Sequence, residues 1–170
     1  MTKHIDETLG NPLRKIVLRT LRYPLWLRRI ILTRLFRFTV KLSGTVGQDI
    51  LDTDLHSVTF RQRNKKKAQN HIGGVHAAAM ALLGESATGF IVGVNLPGDK
   101  LPLLKSMHID YTQRAEGDLL AQAHLTDAQI EALQNDIKGE ITVAVSVTDA
   151  AHKAPIVCQY VWAWIPKRAK

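Results

Sequence analysis

Apolar positions along the first 40 residues recur with helical spacing. In residues 12–22, Leu13, Ile16, Val17, Thr20 and Leu21 share one face, while Arg14, Lys15, Arg19 and Arg22 share the other. That is the pattern of a short amphipathic helix, and Pro12 suits its first position. Pro24 interrupts it. A second helix over 25–38 places Leu27, Ile31, Leu35 and Phe38 on one side, with Arg28 close to that apolar face. Residues 40–63 then have strand character, with breaks at Ser43-Gly44 and Asp52–Asp54 and a second strand through Val58 and Phe60. The longest nearly uncharged run, Val75 to Leu96, holds one acid, Glu85, and predicts a long helix over 70–93, preceded by Gly73-Gly74 and closed by Asn95, Pro97 and Gly98. Ala77, Ala78, Ala79, Ala81, Gly84, Gly89 and Gly93 crowd it with small side chains. Glycine weakens a helix interior by about 1 kcal/mol, so the pattern implies close packing, such as a sheet wrapped around the helix. A membrane span is the competing reading, but a helix rich in Ala and Gly inserts poorly.

The period changes to two beyond this helix. Met107, Ile109 and Tyr111 alternate with His108 and Asp110. Leu119, Ala121, Ala123 and Leu125 form the next stripe, then Ile141, Val143, Val145 and Val147, then Ile156, Cys158, Tyr160, Trp162 and Trp164. Turns are expected at Glu116-Gly117, Gln134-Asn135-Asp136 and Asp149–Pro155. Short connections between successive strands imply an antiparallel sheet. The fold class is α+β, organised as a basic helical extension over residues 1–39 and a domain over 40–170.

Charge refines the picture. The net charge is +8, and residues 1–41 account for all of it, with ten Lys or Arg against Asp6 and Glu7. A second basic cluster spans Arg61–Lys67. Such surfaces suit anionic lipid, nucleic acid or a phosphate-rich ligand. No nucleic-acid motif or aromatic platform accompanies them, so nucleic acid is not expected as a partner. A peripheral membrane contact through residues 12–41 competes with a plain packed extension. No secretory signal is visible, and the location expected is cytoplasmic. Cys158 is the single cysteine, which leaves no internal disulfide and no thiolate metal cluster. It reads as a small core hydrophobe.

The candidate chemistry lies between Asn70 and Glu85. A helix N-terminus offers free N–H groups and a positive dipole end to a developing oxyanion. Gly73 and Gly74 allow a ligand to approach the backbone closely. Asn70 and His76 can orient a carbonyl or a water. Glu85 sits among Leu82, Leu83, Gly84 and Ala87, where burial raises a carboxyl pKa and makes a usable base. If both lie on one helix, His76 and Glu85 are about 900° and roughly 13.5 Å apart. They then point to opposite faces, and a shared site needs Glu85 of one subunit with Asn70 and His76 of another, in a two-fold dimer. Each residue has a plainer reading: Asn70 as a cap, His76 as a satisfied core histidine, Glu85 as a bridge to an arginine across an interface.

The spacing Asn70-x5-His76-x8-Glu85 on a Gly/Ala-rich helix resembles the hotdog-fold acyl-CoA thioesterases of the phenylacetyl-CoA type, including a bacterial branch carried as a domain of unknown function. The stretch Met107–Ala115 (MHIDYTQRA) followed by Gly117 is similar to the strand and turn after their helix. The resemblance covers about residues 40–165. It implies a long central helix wrapped by an antiparallel sheet, assembly as dimers or tetramers, and metal-free hydrolysis of an acyl-CoA or acyl-carrier thioester with no further cofactor. Glu85 would be base or nucleophile, and the backbone at Ala77 and Gly74 would hold the thioester oxygen. Asn70 and His76 would support carbonyl and water, and Gly73 and His108 would contact substrate. Many relatives have His-Gly-Gly where this chain has His76-Ala77-Ala78, and Asp where it has Glu85. Two alternatives compete: a hotdog dehydratase or hydratase, whose expected Pro-Gly-His-Phe-type loop is missing, and a non-catalytic acyl-CoA-binding or lipid-binding module.

Overall fold

The computed structural model describes residues 8–167. Helices α1 (Pro12–Thr20), α2 (Leu25–Thr39) and α3 (Lys41–Val46) lead into strands β1 (Gln48–Thr53) and β2 (Ser57–Gln62). A single 3-10 turn (Lys66–Ala68) precedes the long helix α4 (Ala77–Asn95). Then come β3 (Lys100–Tyr111), β4 (Leu119–His124), α5 (Asp127–Asn135), β5 (Gly139–Asp149) and β6 (Ile156–Pro166). The strands form one antiparallel sheet in the order β1-β2-β4-β5-β6-β3. It curls around α4, the hotdog arrangement.

The small residues of α4 are explained by what the sheet presents to them. A Cβ added at Gly84 would lie 2.5 Å from the Tyr160 hydroxyl, and one at Gly89 would lie 2.6 Å from the Trp162 ring. Both aromatic side chains close their polar ends on the same helix. Tyr160 donates to the Ala81 carbonyl at 2.7 Å, and the Trp162 indole donates to Thr88 Oγ1 at 2.9 Å. Phe36, Phe60 and Phe90 pack edge-to-face between α2, β2 and α4, with centroids 5.0–5.9 Å apart. By length and composition α4 could cross a membrane, but 61% of its apolar window is buried inside the domain. It is a core helix.

The basic N-terminal helices are stapled to the fold by polar contacts. Asn11 caps α1 and also donates to the carbonyls of Gly93 and Leu96, and Arg14 donates to Asn95 Oδ1. The two Asn11 bonds satisfy carbonyls at the C-terminus of α4 that no helical N–H can reach. Along α2, Arg28, Arg29, Thr33 and Arg37 reach the main chain of Thr53, Leu51, Ile50 and Gln48 in turn. The helix thereby covers the free edge of β1, an edge that otherwise invites another strand. Arg37, Arg61 and Arg63 converge on the buried Asp49 at 2.6, 2.8 and 2.9 Å. Four cations counted as surface charge in the sequence, Arg14, Arg28, Arg29 and Arg37, are thus used inside the chain.

Several expectations are corrected. The helix expected over 70–93 starts only at Ala77, because Gly73 adopts φ +79° and residues 70–76 form a tight loop. Ser43-Gly44 is not a break between strands. It lies in α3, where Gly44 packs on the Arg37 carbonyl and Ser43 meets Ser86 at 3.0 Å. Strand β4 stops at His124, and Thr126 opens α5 with a capping box completed by Gln129. Phe38 does not join the inner side of α2; it is 85% exposed. Asp6 and Glu7 lie outside the described residues.

Candidate active site

The entrance to α4 is built by its backbone. Asn70 Oδ1 accepts from the N–H of Ile72 and Gly74, and the Asn70 N–H donates to the Gly74 carbonyl at 2.9 Å. This is the self-bonding turn that Asn favours, and the left-handed Gly73 completes it. Asn64 and Arg114 tie it down by donating to the carbonyls of Gly73 and Ile72. The side-chain amide N–H₂ of Asn70 has no partner among the described residues and is left to donate. His76 is the N-cap: its Nδ1 accepts from the Ala78 N–H at 3.0 Å. In the neutral ring that places the proton on Nε2, which faces outward as a donor. The Ala77 N–H, first in the helix, takes no acceptor among the described residues. His76, Ala77 and Ala78 are exposed and Gly74 is buried.

Glu85 lies two turns further along α4. It is half-buried, carries no hydrogen bond or ion pair among the described residues, and burial pushes its carboxyl above the ordinary 4.5. No arginine meets it among the described residues; its plainer reading, a bridge to an arginine across an interface, needs a second copy. Glu85 lines a partly open chamber of about 540 Å³ between α4 and the helices α1 and α2, which Pro102 and Trp162 also line.

The helix start changes the geometry inferred from sequence. His76 has extended backbone (φ −65°, ψ 141°) and is not on the helical spiral. From the first helical residue, Ala77, to Glu85 is eight residues, about 80° around the axis and roughly 12 Å along it. The two therefore share a side rather than opposing one another, but they are too far apart to act on one carbonyl carbon within a chain. The structure brings Asn70, Gly73, Gly74, His76 and Ala77 together and leaves Glu85 apart. His108 is separate from both. It pairs with Asp110 at 3.3 Å on the outer face of β3, while Tyr111 on the opposite face donates to the Ala77 carbonyl at 3.0 Å. Among the described residues no group of three or more His, Cys, Asp or Glu is placed to hold a metal ion.

A domain of unknown function, DUF4442, matches residues 28–165. The chain belongs to that family. No curated protein matches it. Among solved structures, the DUF4442 chain is similar to a Pseudomonas aeruginosa protein of unknown function described as a probable thioesterase. That likeness has 19% identity and a TM-score of 0.72, over 79% of this chain and 93% of that one. It is similar to a Haemophilus influenzae thioesterase at 12% identity and TM-score 0.61, over 74% and 82%. It is also similar to a Silicibacter pomeroyi thioesterase family protein at 12% and 0.62, over 79% and 96%. At these identities the likeness establishes the hotdog fold.

Sequence reasoning missed the tyrosines. Within the DUF4442 domain, Tyr111 binds the helix entrance, Tyr160 binds Ala81, and Cys158 lies between them on the same sheet face. Burial raises both the Cys158 thiol and the Tyr111 phenol, so Cys158 is no activated nucleophile. The alternation Met107, Ile109, Tyr111 was the available signal: it put Tyr111 on the helix-facing side.

Proposed function

We propose that this chain is an acyl-CoA thioesterase-like hydrolase that works as a dimer with two shared sites. The observation that carries the reading is the arrangement around β3. One edge of the sheet, β1, is covered by α2, but β3 at the other edge is twelve residues long and uncovered among the described residues. It exposes Leu101, Leu103, Met107 and Tyr111. A long apolar edge of this kind calls for a partner strand. Tyr111 touches Ala77, whereas Pro102 lines the same chamber as Glu85. Antiparallel pairing of two β3 strands about their midpoint near Ser106 sets Tyr111 of one copy opposite the Leu101–Pro102 end of the second. The helix entrance of each copy then faces Glu85 of the other.

In that site Glu85, unpaired and raised by burial, takes a proton from a water as its oxygen bonds to the thioester carbonyl carbon. The Ala77 N–H holds the oxyanion, and Asn70 Nδ2 and His76 Nε2 orient carbonyl and water. Collapse breaks the C–S bond, and the proton passes from Glu85 to the leaving sulfur. The test is thiol release from a panel of acyl-CoA and acyl-carrier thioesters, with Glu85→Ala and Asn70→Ala variants alone and mixed. Glu85→Ala should lose at least about 100-fold. After subunit exchange, the mixture should regain about one quarter of native activity, since half the dimers are mixed and each has one intact site. Absence of turnover on every substrate sinks the hydrolase reading, and turnover without rescue sinks the shared site.

We further propose a peripheral contact with anionic membrane through residues 12–41. Trp26, Ile30 and Phe38 follow one exposed stripe of α2, which Leu42 continues. Lys15, Arg19, Arg22, Arg34 and Lys41 are exposed around it, and no acid occurs between Thr8 and Gln48. An apolar stripe flanked only by cations matches an anionic lipid surface.

A further inference from the structure

We infer that the chamber between α1, α2 and α4 takes the aliphatic tail of a medium-to-long acyl thioester, with the basic helical extension as its outer wall. The inference rests on the thioesterase reading and names the substrate class for it. The space is a deep groove of about 540 Å³, open to solvent along one side and walled mainly by apolar side chains. Tyr160 and Trp162 fill the sheet-facing side of α4, and the space opens past Pro102 and Trp162 toward the extension, which supplies residues between Asn11 and Ile16 and between Leu35 and Val40 to its lining. The extension is held there by polar staples at its margins: Asn11 and Arg14 on the end of α4, Arg29 and Arg37 on β1, and Ser43 on Ser86. Between these points Leu13, Ile16, Leu35 and Phe36 border the open space beside α4.

The lining specifies the ligand. Leu13, Ile16, Leu35, Phe36, Leu82 and Phe90 make its walls. The polar groups that reach it are already engaged: Ser86 by Ser43, Asn11 by its caps, and Thr39 by the Leu35 carbonyl. Among the described residues that line it, Glu85 alone is without a partner, and none is a lysine or arginine. That lining would not hold a phosphate, and a bare carboxylate entering would meet Glu85 with no cation to offset it. A neutral thioester fits, with its carbonyl beside Glu85 and its tail toward Phe36 and Phe90. The freed acid, once ionised, is repelled and leaves. A methylene needs about as much room as a water's ~30 Å³ share of the liquid, so the chamber holds on the order of 12–18 carbons. Exposed Pro12, Thr39 and Val40 form the rim.

The test uses S-alkyl-CoA thioethers, which bind but cannot be hydrolysed, with chains from about 2 to about 16 carbons. Titration calorimetry with the full-length protein should show affinity rising roughly two- to fourfold per methylene and levelling off near the chamber's capacity. Leu35→Trp, which fills the interior, and Thr39→Trp, at the exposed rim, should each weaken long-chain binding at least tenfold and flatten the length dependence. Native-like melting of either variant suffices to read the result. A length dependence that is absent, or is kept in a folded Trp variant, overturns the inference. The two readings fail separately. Thioethers that bind by length while thioesters resist hydrolysis leave the chamber standing and remove the hydrolase. Hydrolysis that ignores chain length does the reverse.

Discussion

The sharpest prediction concerns Glu85→Gln, because it sets stability against activity at one atom. Glu85 is a half-buried carboxyl with no hydrogen bond or ion pair among the described residues, and its pKa is raised above 4.5 by burial alone. A carboxyl raised in the folded state binds its proton more tightly there than in the unfolded chain. Its favourable contribution is therefore complete below about 4.5, the unfolded value, and is lost as pH rises through the folded value. At neutral pH the native protein carries an unpaired charge that disfavours folding. Glutamine has nearly the same shape without the charge. Half of the surroundings are solvent, so the penalty is discounted to about 1 kcal/mol or less. For a chain of this size that corresponds to roughly 2–4 °C in Tm. Calorimetric melts of both proteins across the acid-to-neutral range should give coincident Tm values at about pH 4 and a higher Tm for the variant at about pH 8. In parallel, thioester turnover should fall by about 100-fold or more. A Tm difference that is constant with pH, or that favours the native protein at neutral pH, would refute the unpaired, desolvated carboxylate on which the proposed base depends. A partner hidden in the dimer interface would give that result.

Two other predictions follow. Gly84→Ala drives a methyl to within 2.5–2.7 Å of the Tyr160 hydroxyl and ring. Tyr160 is fully buried and tied to Ala81, so urea melts should show a loss of about 1–3 kcal/mol. Replacing exposed Trp26 and Phe38 by serine should leave the fold intact and reduce co-sedimentation with vesicles of about 30% anionic lipid at least several-fold. Equal binding by the variant would remove the membrane contact.

How much could be read from the chain varied with how local the signal was. The crowding of Gly84 and Gly89 signalled close packing because a small residue in a helix interior is a cost that only a neighbour explains, and Tyr160 and Trp162 are those neighbours. Glu85 stood out for a similar reason, an acid in an apolar run. The loop before α4 was less legible. Periodicity runs straight through residues 70–76, and only the positive φ at Gly73, with Asn70 bonded to its own turn, ends the helix at Ala77. The cap of α5 was written locally as Thr126 and Gln129, but the stripe continuing through Leu125 concealed it. Lys100–Leu104 alternates in burial but not in polarity, since Leu101 and Leu103 face outward, and Pro102 is tolerated there because β3 lies at an edge.

The arginines show the limit of counting charge. From composition, the first 41 residues form one basic surface. In the fold, α2 divides by side. Arg28, Arg29 and Arg37 face β1 and replace the strand partner that this edge lacks, whereas Arg34 stays on the solvent side with Trp26, Ile30 and Phe38. No periodicity in residues 25–39 distinguishes the two groups, because the acceptors are main-chain carbonyls some 10–25 residues away. Covering β1 leaves β3 as the open edge. The same helix that closes one end of the sheet also supplies Leu35 and Phe36 to the chamber beside Glu85. The extension is therefore tied to both features on which the proposed chemistry rests: which edge remains free for a second copy, and how long a tail the site accepts.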